Sequence, residues 1–130
     1  MEMKPKEFLA LISEVAESFR KKIELEVDAF EVDEDARQER RKKALDPKTG
    51  YRFFAKTYFP HYLGKPDSKL HDDLMDTVLP GVLFGNGAAR EGIIAPRGSA
   101  KSTHVACIFP IHALMAERKN YICLVMDAFE

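Results

Sequence analysis

The sequence predicts an α/β fold: one end of a covered parallel sheet, preceded by a helical N-terminal region. Three observations lead there. Two short apolar runs, Gly92-Ile93-Ile94-Ala95 and YICLVM over 121–126, flank a stretch of helical character from Thr103 to Glu117. Both runs are apolar on both faces, as strands are when helices cover a parallel sheet on each side. The first 45 residues instead carry helical periodicity and dense charge. Three regions follow: a helical region over 1–45, a helical lead-in over 46–90, and a strand–loop–helix–strand unit over 91–130.

In chain order, 5–22 reads as an amphipathic helix, because Phe8, Leu11, Ile12, Val15 and Phe19 recur at steps of three and four. Residues 23–32 alternate apolar and polar in strand fashion but are read as more helix. Residues 33–45 form a polar helix, acidic at its start and basic at its end, an order that suits the helix dipole. Its cluster Arg37, Arg40, Arg41, Lys42 and Lys43 is read as a solvated face. Asp46-Pro47 signals a helix start. The segment 51–62 holds six of the chain's thirteen Phe and Tyr residues, read as core of a short helix rather than a base-stacking surface. Asp67 is placed as the cap of a further helix with Leu70, Leu74, Met75 and Val78 on its apolar face, ended by Pro80-Gly81. Gly85-Asn86-Gly87 is a turn. The helix from Thr103 to Glu117 contains one proline, Pro110.

Composition narrows the function classes. The chain has 130 residues, 45% hydrophobic, enough for a real core. Lys plus Arg is 20 against 21 Asp plus Glu, which excludes a small basic module that holds nucleic acid by bulk charge. Cys107 and Cys123 lie in apolar surroundings and read as buried free thiols of a reducing compartment. No apolar run has the length of a membrane span and no signal peptide is visible, so a cytoplasmic protein is expected. His61, His104 and His112 share no metal-ligand spacing with the cysteines, and no zinc site is proposed.

The chemistry lies in Ala95-Pro96-Arg97-Gly98-Ser99-Ala100-Lys101-Ser102. It matches the phosphate-binding pattern G-x-x-x-x-G-K-[ST] with alanine at both glycine positions. Such a loop needs backbone N–H groups turned toward one anion, a helix that begins there, a lysine to reach the β- and γ-phosphates, and a hydroxyl for Mg²⁺. Lys101 and Ser102 meet the last two needs. Gly98, Ser99 and Ala100 keep the loop tight.

IIAPRGSAKST, the apolar helix behind it and YICLVMD together resemble the large terminase subunits of tailed bacteriophages, the ATPases that drive DNA into the procapsid. The upstream run FFAKTYFPHYLGKPDSKLHDDL resembles their lead-in, so the resemblance covers about 46–130. It implies an ATPase domain of the additional-strand P-loop class, with ATP and Mg²⁺ as cofactors. Gly98, Ser99, Ala100 and Lys101 would cradle the phosphates. Ser102, with Thr103 beside it, would hold Mg²⁺. Lys101 and Arg97 would be the catalytic groups, Arg97 close to the γ-phosphate or else in a structural salt bridge. His71 would lie near adenine or else be an exposed or capping helix histidine. Asp127 imitates the metal-holding acid but would end a neighbouring strand. The implied partners are double-stranded DNA, the portal protein, the small terminase subunit and further copies in a ring, in the host cytoplasm without a membrane. The metal-holding acid and the nuclease carboxylates are not in this sequence. It is therefore expected to be an N-terminal part of such an enzyme and inactive in hydrolysis by itself. The alternatives are another DNA-translocating or helicase-type ATPase, or a non-catalytic interaction module with a degenerate loop.

Overall fold

In a computed structural model, which describes residues 5–26, 30–119 and 121–125, the chain forms helices and irregular connections, with no strand among the described residues. It divides into two compact units, Met1–Phe30 and Glu31–Glu130. The first unit holds helix α1, Pro5–Glu26. The apolar stripe foreseen for 5–22 is present on it, and the helix extends four residues further, assisted by Arg20, whose Nε donates to Glu24 across one turn at 2.9 Å. Phe8, Leu11, Ile12, Val15 and Phe19 are all exposed. Of the remaining stretch read as helix, 27–29 lie outside the described residues and 30–32 are irregular.

The second unit opens with α2, Glu34–Ala44. Asp33 caps it by accepting the Ala36 N–H at 3.3 Å, while Arg41, Lys42 and Lys43 occupy its last turn. The Asp46 carboxylate then accepts the N–H groups of Lys48 and Thr49, both at 2.9 Å, and this turn delivers the chain into α3, Gly50–Tyr58. Asp46-Pro47 thus marks a turn, and the helix begins at Gly50. Gly50 sits against the end of α2: a Cβ there would lie 2.8 Å from the Ala44 carbonyl carbon and closer still to its oxygen.

Helix α3 is the hub. It packs against α2, against the π-helical stretch Leu74–Val78, and against α5 (Leu79–Phe84) and α6 (Phe109–Met115). Tyr51, Phe54 and Ala55 are buried with Ala44, Leu74, Met75, Leu79 and Ile108, and Phe53, Tyr58 and Phe59 pack around them. The aromatic segment is therefore core as far as Phe59, while Tyr62 is exposed. Between α3 and the π-helical stretch comes α4, Lys69–Asp73, whose N-cap is Ser68. Asp67, expected in that place, instead accepts from Arg52 and Lys56 of α3.

Pro80-Gly81, expected to end its helix, does not, and Pro110 lies inside a helix as read. The helix continues through Pro80 to Phe84, and the helix after the loop continues through Pro110 to Met115. In each case a π-helical stretch ends two residues before the proline, Leu74–Val78 and Thr103–Ile108. Proline has no N–H to give and its ring collides with the carbonyl four residues back. The wider π turn, with Leu79 N–H reaching Leu74 and Phe109 N–H reaching His104, moves the carbonyls out of that register.

Among the described residues the expected parallel sheet is absent. Residues 91–96 and 121–125 are irregular, so the strand–helix–strand unit and its right-handed crossover are overturned as well. Only Ile93 of the first run packs on the core, while Ile94, Tyr121 and Val125 stand almost fully in solvent. The physical reason is the non-local demand of a strand. Each run must find a ladder partner, and among the described residues neither has one, so ordering as a strand is not repaid. Cys123, expected to be buried on that sheet, is exposed, and Cys107 is half-buried. Asp127 lies outside the described residues.

Candidate functional site: a glycine-poor loop braced by a histidine

The loop 95–102 turns sharply over its middle residues. Gly98 has φ +78° and Ala100 has φ +53°, both left-handed. Left-handed residues spaced along a loop swing neighbouring amides toward one side, the arrangement that makes anion-binding concavities. Ala100 adopts this conformation at a cost of about 1 kcal/mol, because its Cβ crowds the following carbonyl. The Pro96 carbonyl gathers the loop, accepting from Ser99 Oγ at 2.8 Å and from the Lys101 ammonium at 3.1 Å. The chain is helical from Lys101 onward, so the free N–H groups of a helix start face this turn. Gly98, Ser99, Ala100, Lys101, Ser102 and Thr103 line a hollow of about 210 Å³. The loop residues expected to act together are thus together. Arg97 is exposed on the same turn and makes no ion pair among the described residues.

The loop is held from outside by His71. The Ser68 N–H donates to His71 Nδ1 at 3.0 Å, the returning limb of a capping box. An acceptor at Nδ1 places the neutral ring's proton on Nε2, which donates to the Ser99 carbonyl at 2.8 Å. Behind this contact lies a charged brace. Arg52 Nε and Nη2 bind both oxygens of Asp76, at 2.7 and 2.8 Å; Nη2 also reaches Asp72 and Nη1 reaches Asp67. Lys56 binds the other oxygen of Asp67 at 2.7 Å. Hydrogen bonds from Arg52 hold the Asp76 carboxyl below its usual range against its own partial desolvation. At Asp67, burial pushes up, but Lys56 and Arg52 outweigh it and the net direction is down.

Under the loop helix, His104 is fully buried, its Nδ1 3.0 Å from the Tyr51 hydroxyl and its ring 6.0 Å from that of His71. His112, also fully buried, donates from Nε2 to the Ala44 carbonyl at 2.7 Å. Burial lowers the pKa of both rings. These histidines are core residues that join α3 and α2 to the helix behind the loop. Sequence reading missed Ser68, Asp67 and Arg52 as supports of the loop. The Ser-x-x-His spacing was the available signal, since a residue three places after a serine cap reaches back to it.

A second hollow of about 450 Å³ lies beside the loop, lined by His61, Lys65, Asp67, His71, Gly98 and Ala100 among others. A larger one, about 830 Å³, lies between α2 and α3, away from the loop. Its Lys43, Arg52 and Lys56 are already paired with Glu39, with Asp76, and with Asp67, and of its lining cations Lys42 is without an ion pair among the described residues. The loop donors, backbone amides and an ammonium, fit a phosphate chain. The Ser102 hydroxyl fits Mg²⁺ only as one ligand beside phosphate oxygens, because among the described residues no three His, Cys, Asp or Glu form a metal-holding group.

No family model matches the chain, and no curated protein or solved structure matches it. Among the described residues no helix is long and apolar enough to cross a membrane.

Proposed function

We propose that the loop 95–102 binds the phosphates of ATP with Mg²⁺, and that the chain serves as an N-terminal part of a DNA-packaging ATPase of the terminase large subunit kind. The observation that carries the reading is the hollow lined by Gly98 to Thr103 at a helix start, with two left-handed residues in the turn and Lys101 on its lining, the ammonium held at the Pro96 carbonyl. Lys101 neutralises phosphate charge, Ser102 supplies a hydroxyl to the ion, and the exposed Arg97 acts on the γ-phosphate as charge shifts during transfer. Double-stranded DNA, the portal protein, the small subunit and sister copies are the partners this reading carries with it, in the host cytoplasm. Hydrolysis belongs to an assembly that also supplies the metal-holding acid.

The test is nucleotide binding to the chain by calorimetry, with and without Mg²⁺. Lys101→Ala is expected to weaken ATP at least tenfold, since it loses a charge-assisted contact. Arg97→Ala is expected to leave affinity nearly intact and to act on turnover in the packaging enzyme. Equal affinity in wild type and Lys101→Ala rejects the phosphate loop. A second reading, an interaction module, draws on the exposed apolar stripe of α1, and that result would bring it forward.

A further inference from the structure

Lead-in and loop meet at one hydrogen bond, from His71 Nε2 to the Ser99 carbonyl, 28 positions along the chain. A peptide unit is planar and trans, so its C=O and the next residue's N–H point in opposite directions. Holding the Ser99 carbonyl toward His71 therefore aims the Ala100 N–H away from it. Ala100 has φ +53° and its neighbours line the hollow. Without a restraint, this peptide gains by flipping, because a flip would relieve the left-handed alanine. The usual glycine would need no such restraint.

We infer that His71 is a positioning residue for the phosphate loop: it locks the Ser99–Ala100 peptide in the orientation that presents the Ala100 N–H to a phosphate, and so compensates for alanine at the glycine position. Both ring nitrogens are engaged, Nδ1 by the Ser68 N–H and Nε2 by the loop. The ligand class that depends on His71 is therefore the phosphate chain and not the base. Asp67 stands next to the Ser68 cap and is gripped by Arg52 and Lys56, so the ring's anchor is itself fixed to α3. This inference rests on the nucleotide reading above.

The experiment compares wild type with His71→Met, which keeps bulk but has no donor, and with His71→Gln, which keeps an acceptor and a donor. The probes are ATP, GTP and inorganic tripolyphosphate, each with Mg²⁺, and a urea midpoint is taken for every variant. Losing one directing hydrogen bond is expected to weaken all three probes about three- to tenfold in His71→Met. His71→Gln is expected to stay within about twofold of wild type, since its amide meets both partners. A loss for ATP with tripolyphosphate unchanged would assign His71 to the base and overturn the inference. Equal losses in Met and Gln variants would assign the effect to ring shape and overturn it as well. Unchanged binding in a folded His71→Met would overturn it alone. If His71→Met is unfolded at the working temperature, His71→Gln decides: weakened tripolyphosphate binding there refutes the inference and retained binding supports it. Failure of wild type to bind any probe would overturn the nucleotide reading and this inference with it.

Discussion

Replacing Arg52 by alanine tests whether the charged brace behind the loop stabilises the fold. Its guanidinium reaches three carboxylates: two short bonds to Asp76, one of 2.7 Å to Asp72 and a longer one of 3.3 Å to Asp67. A fully exposed pair contributes about 0–1 kcal/mol, whereas hydrogen bonds to buried charged groups contribute about 1.5–3 kcal/mol each. Arg52 is 32% exposed and Asp76 and Asp72 are about half exposed, so solvent screens much of the gain. Removal also leaves Asp67, Asp72 and Asp76 repelling one another. The expected loss is about 2 kcal/mol, which corresponds to roughly 8–16 °C in Tm for a unit of this size. Arg52→Lys is expected to recover less than half, because a point charge does not bridge three acceptors in fork geometry. The assay is thermal and urea unfolding followed by circular dichroism. The Asp76 and Asp67 carboxyls titrate below their unfolded values. Their contribution is thus complete above about pH 4 and is lost as pH falls through the folded pKa values. The gap between wild type and Arg52→Ala should therefore hold from pH 7 to about 4.5 and close in stronger acid. A Tm change under about 2 °C, or full rescue by lysine, would refute this account of the brace.

Two further outcomes are expected. Gly50→Ala should destabilise by about 1–3 kcal/mol in urea unfolding, because the new methyl meets the Ala44 carbonyl, a backbone group already held by His112; a neutral result would mean that the α2–α3 junction gives way freely. His104 and His112 are buried with lowered pKa values, so the unfolded chain binds protons that the folded chain refuses; stability should fall as pH drops from about 6.5 toward the folded pKa values, with a shallower fall in His112→Gln, and a Tm flat from pH 7 to 5 would contradict it.

The sequence by itself determined the features that satisfy themselves locally. The stripe of α1, the charge order of α2, the aromatic core of α3 and the tight turn of 95–102 are all legible, because a helix or turn bonds to its own chain within a few residues. Tertiary structure decided the rest. Ile93-Ile94 and the run from Tyr121 are as apolar as buried strands, yet a strand's hydrogen bonds belong to another segment, and among the described residues none pairs with them. Pro80 reads as the end of its helix, yet a π turn ahead of it carries the helix on to Phe84. In sequence, His71 stands out only through the family resemblance, and His104 and His112 only as lacking metal-ligand spacing. Their partners, Ser99, Tyr51 and Ala44, lie 28, 53 and 68 positions away, and only the folded chain brings such groups within hydrogen-bond reach.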